Sequence, residues 1–227
     1  MIKITPNVKL LKVQPQKFDF LSHEECQLLL DNCDGMLKEM VLLGLRTGLR
    51  FGELIALEWS DIDFNSNLMT VQKSIVRGHL GSPKSNKIRY VPLLADVSDM
   101  LSLRFKKDGL VFSKYDQPLG PMLCLRWLRQ ACKKAGMRRI GFHVLRHTFA
   151  SHLAQNGVSI VLIKELLGHA DIKTTMRYSH LTSKAIREAV MTLENKSGDN
   201  TETVFNFHPN KVINLAPVEM KILPKSQ

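Results

Sequence analysis

Residues 141–179 read GFHVLRHTFASHLAQNGVSIVLIKELLGHADIKTTMRYS, and the spacing of polar groups inside them decides what the rest of the chain must build. His143 and Arg146 stand three positions apart. On a helix such positions are surface neighbours, so the pair can address one small anion. Gly168 predicts a left-handed helix stop, which throws His169 into a tight turn. Asp171 then predicts the cap of a short helix that delivers Tyr178. The stretch offers a phosphate-sized group of donors with a phenol beside it.

Working outward, the pattern predicts helices near 143–155, 159–167 and 171–178, and a last one over about 182–194. On the N-terminal side, Pro121 opens a helix to about Lys134, a helix covers about 95–106, and residues 110–112 form a short apolar segment. Leu68–Val71 and Ile88–Val91 alternate like strands, with a turn at Asn65–Asn67 and a Gly/Ser/Pro/Lys loop over 78–86. Ser22 and Glu25 form a capping box for the first helix, a second helix spans Met36–Thr47 and stops at Gly48, and a short one covers Leu54–Trp59. Residues 1–18 read as an extended basic arm or interdomain linker, and 195–227 as a polar linker with a Pro-interrupted apolar tail. The expected fold class is α+β, mainly α-helical, with a small antiparallel sheet near residues 62–93.

The net charge of +11 and a pI near 9.6 are the electrostatic footprint of a nucleic-acid binder, although charge alone equally describes a solvated basic surface. No apolar run is long enough to span a bilayer, and the N-terminus lacks the pattern of a signal peptide. Cys26, Cys33, Cys124 and Cys132 sit in apolar helical patterns without CxxC spacing, which predicts reduced core thiols and a cytoplasmic location. His143 and His147 have the spacing of two zinc ligands on a helix, but no HExxH glutamate accompanies them. No metal and no cofactor are therefore expected. His147 and His152 are read as structural histidines. Arg50 lies in an apolar run, where Glu53 is its obvious partner.

These residues form a larger pattern: Thr47-Gly48-Leu49-Arg50-x-x-Glu53, then His143-x-x-Arg146-His147, then Leu167-Gly168-His169, with Tyr178 nine positions further on. Lys84-Ser85-Asn86-Lys87-Ile88-Arg89-Tyr90-Val91-Pro92-Leu93 adds a basic hairpin strand. Together they resemble the tyrosine recombinase (phage integrase) family over about residues 19–194. The resemblance implies a tyrosine recombinase catalytic-domain-like fold and site-specific cutting and rejoining of DNA through a 3′-phosphotyrosine. Tyr178 would be the nucleophile, Arg50 and Arg146 the phosphate clamp, and His143 the general base. His169 would donate to a phosphate oxygen, Lys84 would be the acid, and Glu53 would support Arg50. Lys87 and Arg89 are expected to contact DNA. Lys84 and Lys87 are an odd number of positions apart, so strand alternation turns only one of them to the site.

The chemistry suits these residue types. A phosphodiester transition state gathers charge on its equatorial oxygens, and arginine presents a planar fork to them without deprotonating. The resemblance further implies double-stranded DNA with specific recombination sites as partner, a tetramer on two sites, a monomer when free, accessory DNA-bending proteins and no membrane. The N-terminal core-binding clamp of most members is expected to be absent, so that 19–194 is the catalytic domain of a fragment or of a clampless chain. The segment 195–227 would dock on a neighbouring subunit. The competing reading is a non-catalytic regulator in which Val158–Tyr178 is a helix-turn-helix. A type IB topoisomerase would share the chemistry.

Overall fold

Ser22 and Glu25 close a reciprocal capping box at the start of α1 (His23–Asp31) in the computed structural model, which describes residues 19–83 and 87–182. α2 (Gly35–Thr47) ends on Gly48, whose φ of 64° and ψ of 22° are left-handed. A Cβ on Gly48 would lie 2.5 Å from Phe149 Cδ1 and 2.9 Å from Leu167 Cδ2, so glycine is required by space as well as by φ. α3 (Phe51–Leu54) comes directly afterwards, and a 3-10 turn covers Trp59–Asp61. The helix expected over 54–59 is thus displaced. Its second half turns because the Asp61 carboxylate accepts from the N–H of Glu58 at 3.0 Å and caps the 3-10 turn instead.

β1 (Ile62–Asp63) and β2 (Leu68–Val71) lead into a hairpin of β3 (Ser74–Val76) and β4 (His79–Gly81), and β5 (Arg89–Pro92) returns to β2. The antiparallel order is β1-β2-β5, with Met69 opposite Val91 and Val71 opposite Arg89. These four side chains share the buried face, which brings Arg89 inside. β4 lies inside the stretch 78–86 that reads in sequence as loop, and β3 precedes it. The hairpin tip, Arg77 (φ 53°) and Gly78 (φ 82°), has positive φ at both positions, as a type I′ turn requires.

α4 (Ala95–Ser102) ends before the expected 106, and Arg104 beyond it reaches Glu39 at 2.8 Å and the carbonyl of Val111. A second small hairpin joins β6 (Ser113–Lys114) to β7 (Gln117–Pro118) through Tyr115 and Asp116, again at positive φ. α5 (Pro121–Lys134) has proline in its first turn as predicted. α6 (Phe142–Gln155) is buried on nearly every side, and α7 (Ile160–Leu167) stops at Gly168 (φ 63°). Asp171 caps, as expected, but the element it caps is a 3-10 turn (Ile172–Thr174) succeeded by another (Met176–Thr182), not an α-helix. The helix-turn-helix therefore lacks its recognition helix. The helix expected over 182–194, the arm 1–18 and the tail 195–227 lie outside the described residues.

α2 lies against α6, where Gly44 leaves room for Leu145: a Cβ there would sit 3.1 Å from Leu145 Cδ1. The main core joins α1, α2, α4 and α5 to the three-stranded sheet and the first half of α6. A smaller cluster, Ala150, Ala154, Ile163, Leu167 and Tyr178, joins the second half of α6 to α7 and the last 3-10 turn. The chain ahead of α1 is fastened to α6. Leu21 N–H donates to Thr148 Oγ1 at 2.9 Å, and His152 Nε2 lies 2.9 Å from the Leu21 carbonyl. Arg138 binds Asp19 at 2.6 Å, the Phe20 carbonyl at 3.0 Å, and Glu25. Cys33, Cys124 and Cys132 are buried thiols and Cys26 is half-buried. No helix among the described residues is long and apolar enough to cross a membrane.

Candidate active site

The end of α7 leaves backbone carbonyls without helical partners, as every helix end does. Here guanidinium groups take them up. Arg89 Nε donates to the Leu166 carbonyl at 3.0 Å, Arg146 Nη2 to that of Leu167 at 2.6 Å, and Arg50 Nη2 to that of Gly168 at 3.4 Å. Cations at a helix C-terminus also meet the negative end of its dipole. Arg146 Nη1 reaches across to the Gly48 carbonyl at 2.7 Å, tying the end of α2 to the end of α7. The two left-handed glycines thus place the Thr-Gly-Leu-Arg and Leu-Gly-His segments against each other.

Glu53 organises this cluster from beneath. Its carboxylate accepts from the backbone N–H of Arg50 at 2.8 Å, from Arg50 Nη1 at 2.9 Å, and from Arg89 Nη1 and Nη2 at 3.0 and 2.7 Å. Burial alone raises the Glu53 carboxyl, but the hydrogen bonds and charge of Arg89, then those of Arg50, prevail and hold it below the usual carboxylate range. Burial, then the Arg50 charge, pushes the Arg146 guanidinium down to about 9, so it is charged at neutral pH but short of counter-charge.

His169 comes just after the Gly168 turn and its Nδ1 lies 2.8 Å from Thr175 Oγ1, itself fully buried. Burial, then Arg146 and Arg50, pushes the His169 imidazole down to about 3, leaving it neutral. Tyr178 is 1% exposed. Burial raises its phenol, against the charges of Arg146 and Arg177. Its Oη lies 2.6 Å from His147 Nδ1.

Arg50, Glu53, Arg146, His169 and Tyr178 are therefore brought to one place. His143 is exposed at the start of α6, with its ring edge-on to His147 and the centroids 5.9 Å apart. Lys87 is exposed. Arg89, expected as a DNA contact, is instead 7% exposed and bound within the protein, because it occupies an inward position of β5. Lys84 lies outside the described residues. Sequence reasoning missed His147 as a neighbour of the phenol, together with Thr175 and Arg177. The four-residue spacing of His147 from His143 was a signal, since such positions are neighbours on one helix surface. Among the described residues no group of three or more His, Cys, Asp or Glu is placed to hold a metal ion.

Beside the cluster, a hollow of about 500 Å³ runs from His143 and Phe51 to Arg129 and Arg139. A second, of about 690 Å³, continues from those two arginines to Arg126 and Lys133 along α5. A cationic track thus leads away from the site.

The domain is mainly helical and sets a pair of guanidiniums, a neutral imidazole and a buried phenol around one turn. The chain belongs to the phage integrase family, whose model matches residues 19–185. It is 36% identical over 155 residues to the tyrosine recombinase XerA of Pyrococcus furiosus, covering 66% of this chain and 52% of that one. The catalytic domain of bacteriophage HP1 integrase superposes with a TM-score of 0.61 at 30% identity, covering 80% of this chain and all of that one. The Tn1549 transposon integrase, solved in complex with a circular intermediate DNA, shares the fold with a TM-score of 0.67 at 20% identity, over 80% of this chain and 68% of that one. The chain spans about half the length of the curated relatives it matches.

Proposed function

We propose that this chain supplies the catalytic domain of a site-specific DNA recombinase, which cuts and rejoins strands through a 3′-phosphotyrosine. The observation that carries this reading is the meeting of Arg50, Arg146 and Tyr178 at the Gly48 and Gly168 turns. The scissile phosphate lies against the two guanidiniums and His169, which neutralise the charge that builds on its oxygens in the transition state. Tyr178 attacks phosphorus after losing its proton to a histidine of α6. The 5′ oxygen leaves with a proton from Lys84, and a second 5′ hydroxyl reverses the step to join a new strand. Neither strand loses a high-energy bond, so no nucleotide is consumed.

Double-stranded DNA with specific recombination sites is the partner. The net charge of +11 and the basic track along α5 support this, as does the DNA-bound Tn1549 integrase of the same fold. Four copies assemble on two such sites, in the cytoplasm. The test is incubation with a nicked suicide duplex, then denaturing electrophoresis. A protein–DNA adduct that disappears in Tyr178→Phe is expected. Binding without an adduct would instead mark a non-catalytic regulator.

A further inference from the structure

The α6 histidine that the family pattern implies as base, His143, is exposed and stands with its ring edge-on to that of His147. The side chain against the nucleophile is His147, with Nδ1 2.6 Å from Tyr178 Oη, at the short end of the hydrogen-bond range. Tyr178 is 1% exposed, so a protein group rather than bulk water stands beside its hydroxyl. His147 is the next residue after Arg146 on α6, so the proton acceptor and the phosphate clamp move as one rigid piece. Burial, then His143, Arg177 and Arg146, pushes the His147 imidazole down to about 4, so one ring nitrogen carries no proton at neutral pH. Among the described residues, the charged and titratable groups facing it include His143 and Arg146 on α6, Arg177 and Tyr178 on the last 3-10 turn, and Asp19 ahead of α1.

We propose that His147 is a further catalytic residue, whose Nδ1 receives the Tyr178 proton as Oη attacks phosphorus. The proposal rests on Tyr178 being the nucleophile. In the step, the O–H bond of Tyr178 breaks and its electron pair forms the bond from Oη to phosphorus. The proton goes to Nδ1 and leaves an imidazolium. The bond from phosphorus to the 5′ oxygen breaks with its pair on that oxygen, which takes a proton from Lys84. Arg146 and Arg177 oppose an imidazolium here while no anion is bound, and a bound phosphate removes that opposition. Proton loss by the buried phenol is thereby coupled to arrival of the substrate. On rejoining, His147 returns the proton to the departing Tyr178 oxygen.

His147→Asn tests this, because its amide oxygen stands where Nδ1 stands and accepts a hydrogen bond but not a proton. Adduct formation is measured on a duplex with sulfur at the bridging 5′ position, which leaves without needing an acid. The unaltered protein should react at a rate independent of pH above about 7.5, where even an imidazole at its ordinary value of about 6.5 is neutral. His147→Asn should bind DNA equally well and react slower by on the order of 10²–10⁴. Its rate should climb tenfold per pH unit, and a fluorinated tyrosine of lower pKa at position 178 should restore it. A flat profile at the unaltered rate in His147→Asn overturns the proposal and leaves His147 a positioning role. The sloping profile and the rescue appearing in His143→Asn instead also overturn it. Nitrogen-15 spectra of the unaltered protein give a second readout that needs no variant. They should show His147 protonated on Nε2, and protonation on Nδ1 overturns the proposal. An adduct that survives Tyr178→Phe removes the nucleophile and this proposal together. Its loss there, with an unchanged His147→Asn, removes this proposal alone.

Discussion

Glu53 and Arg89 face each other in the interior through two parallel hydrogen bonds of 3.0 and 2.7 Å, the carboxylate fully covered and the guanidinium nearly so. The same carboxylate holds Arg50, so a buried ion pair between sheet and helix fixes the clamp. Removing one partner strands the other charge. Glu53→Gln should cost about 3–5 kcal/mol in urea unfolding, the scale of breaking a buried pair. The depressed carboxyl of Glu53 sets the sign of the pH effect. Its stabilisation is present in full above the unfolded value of about 4.3 and is lost as pH falls through the lower folded value. The stability of Glu53→Gln should therefore fall less steeply than that of the unaltered protein on acidification below about 4.3.

Arg50 and Arg146 bind backbone carbonyls with some of their N–H groups, and the planar fork lets each hold a carbonyl and a phosphate oxygen together. Lysine cannot do both. Arg50→Lys and Arg146→Lys should each lower the single-turnover cleavage rate at saturating DNA by on the order of 10²–10³. A loss below threefold in either would remove that arginine from the clamp. Cleavage by the unaltered protein should persist in chelator.

Gly48 and Gly136 share a φ of 64°, but only Gly48 is crowded. Gly136→Ala adds the left-handed strain of a side chain, roughly 1–2 kcal/mol. Gly48→Ala adds the same strain and drives a methyl against Phe149 and Leu167. It should unfold at a clearly lower temperature than Gly136→Ala, by an additional 1–3 kcal/mol on the rough scale of overpacking. Equal melting temperatures for the two would show that the α2–α7 junction yields freely.

Lys84 and Lys87 are separated by a change of leaving group. A thiol has a pKa near ~8.5 and water about 15.7, so sulfur at the bridging position leaves unaided. Lys84→Ala should cut the ordinary duplex poorly and the sulfur duplex at close to the unaltered rate, whereas Lys87→Ala should treat the two alike. Equal losses on both substrates in Lys84→Ala would reassign it to phosphate binding, with a shallower salt dependence.

Features that could be read from the sequence were encoded locally. The capping pair Ser22 and Glu25, Pro121 at a helix start, and Gly48 and Gly168 at helix ends each act within one turn of chain, and each stands where expected. Features that depend on distant partners were not legible. Arg77, Tyr115 and Asp116 adopt positive φ because paired strands force their turns, and neither arginine nor tyrosine advertises that conformation. Asp171 caps correctly, yet residues 172–182 tighten into 3-10 turns because Tyr178 and Thr175 must reach the interior against α6 and His169. The site shows the same division. Spacing singled out Arg146, His169 and Tyr178, and the family resemblance added Arg50; the fold brings the four together. That Arg89 turns inward depends on strand register, and that His147 rather than His143 touches the phenol depends on the path of residues 175–178.

Leu21 and Asp19 are tethered to Thr148, His152 and Arg138, and the first two of these sit on the same helix as Arg146 and His147. A helix transmits displacement along its axis with little loss. Moving the backbone at Leu21 would therefore pull on α6 itself, the helix that carries Arg146.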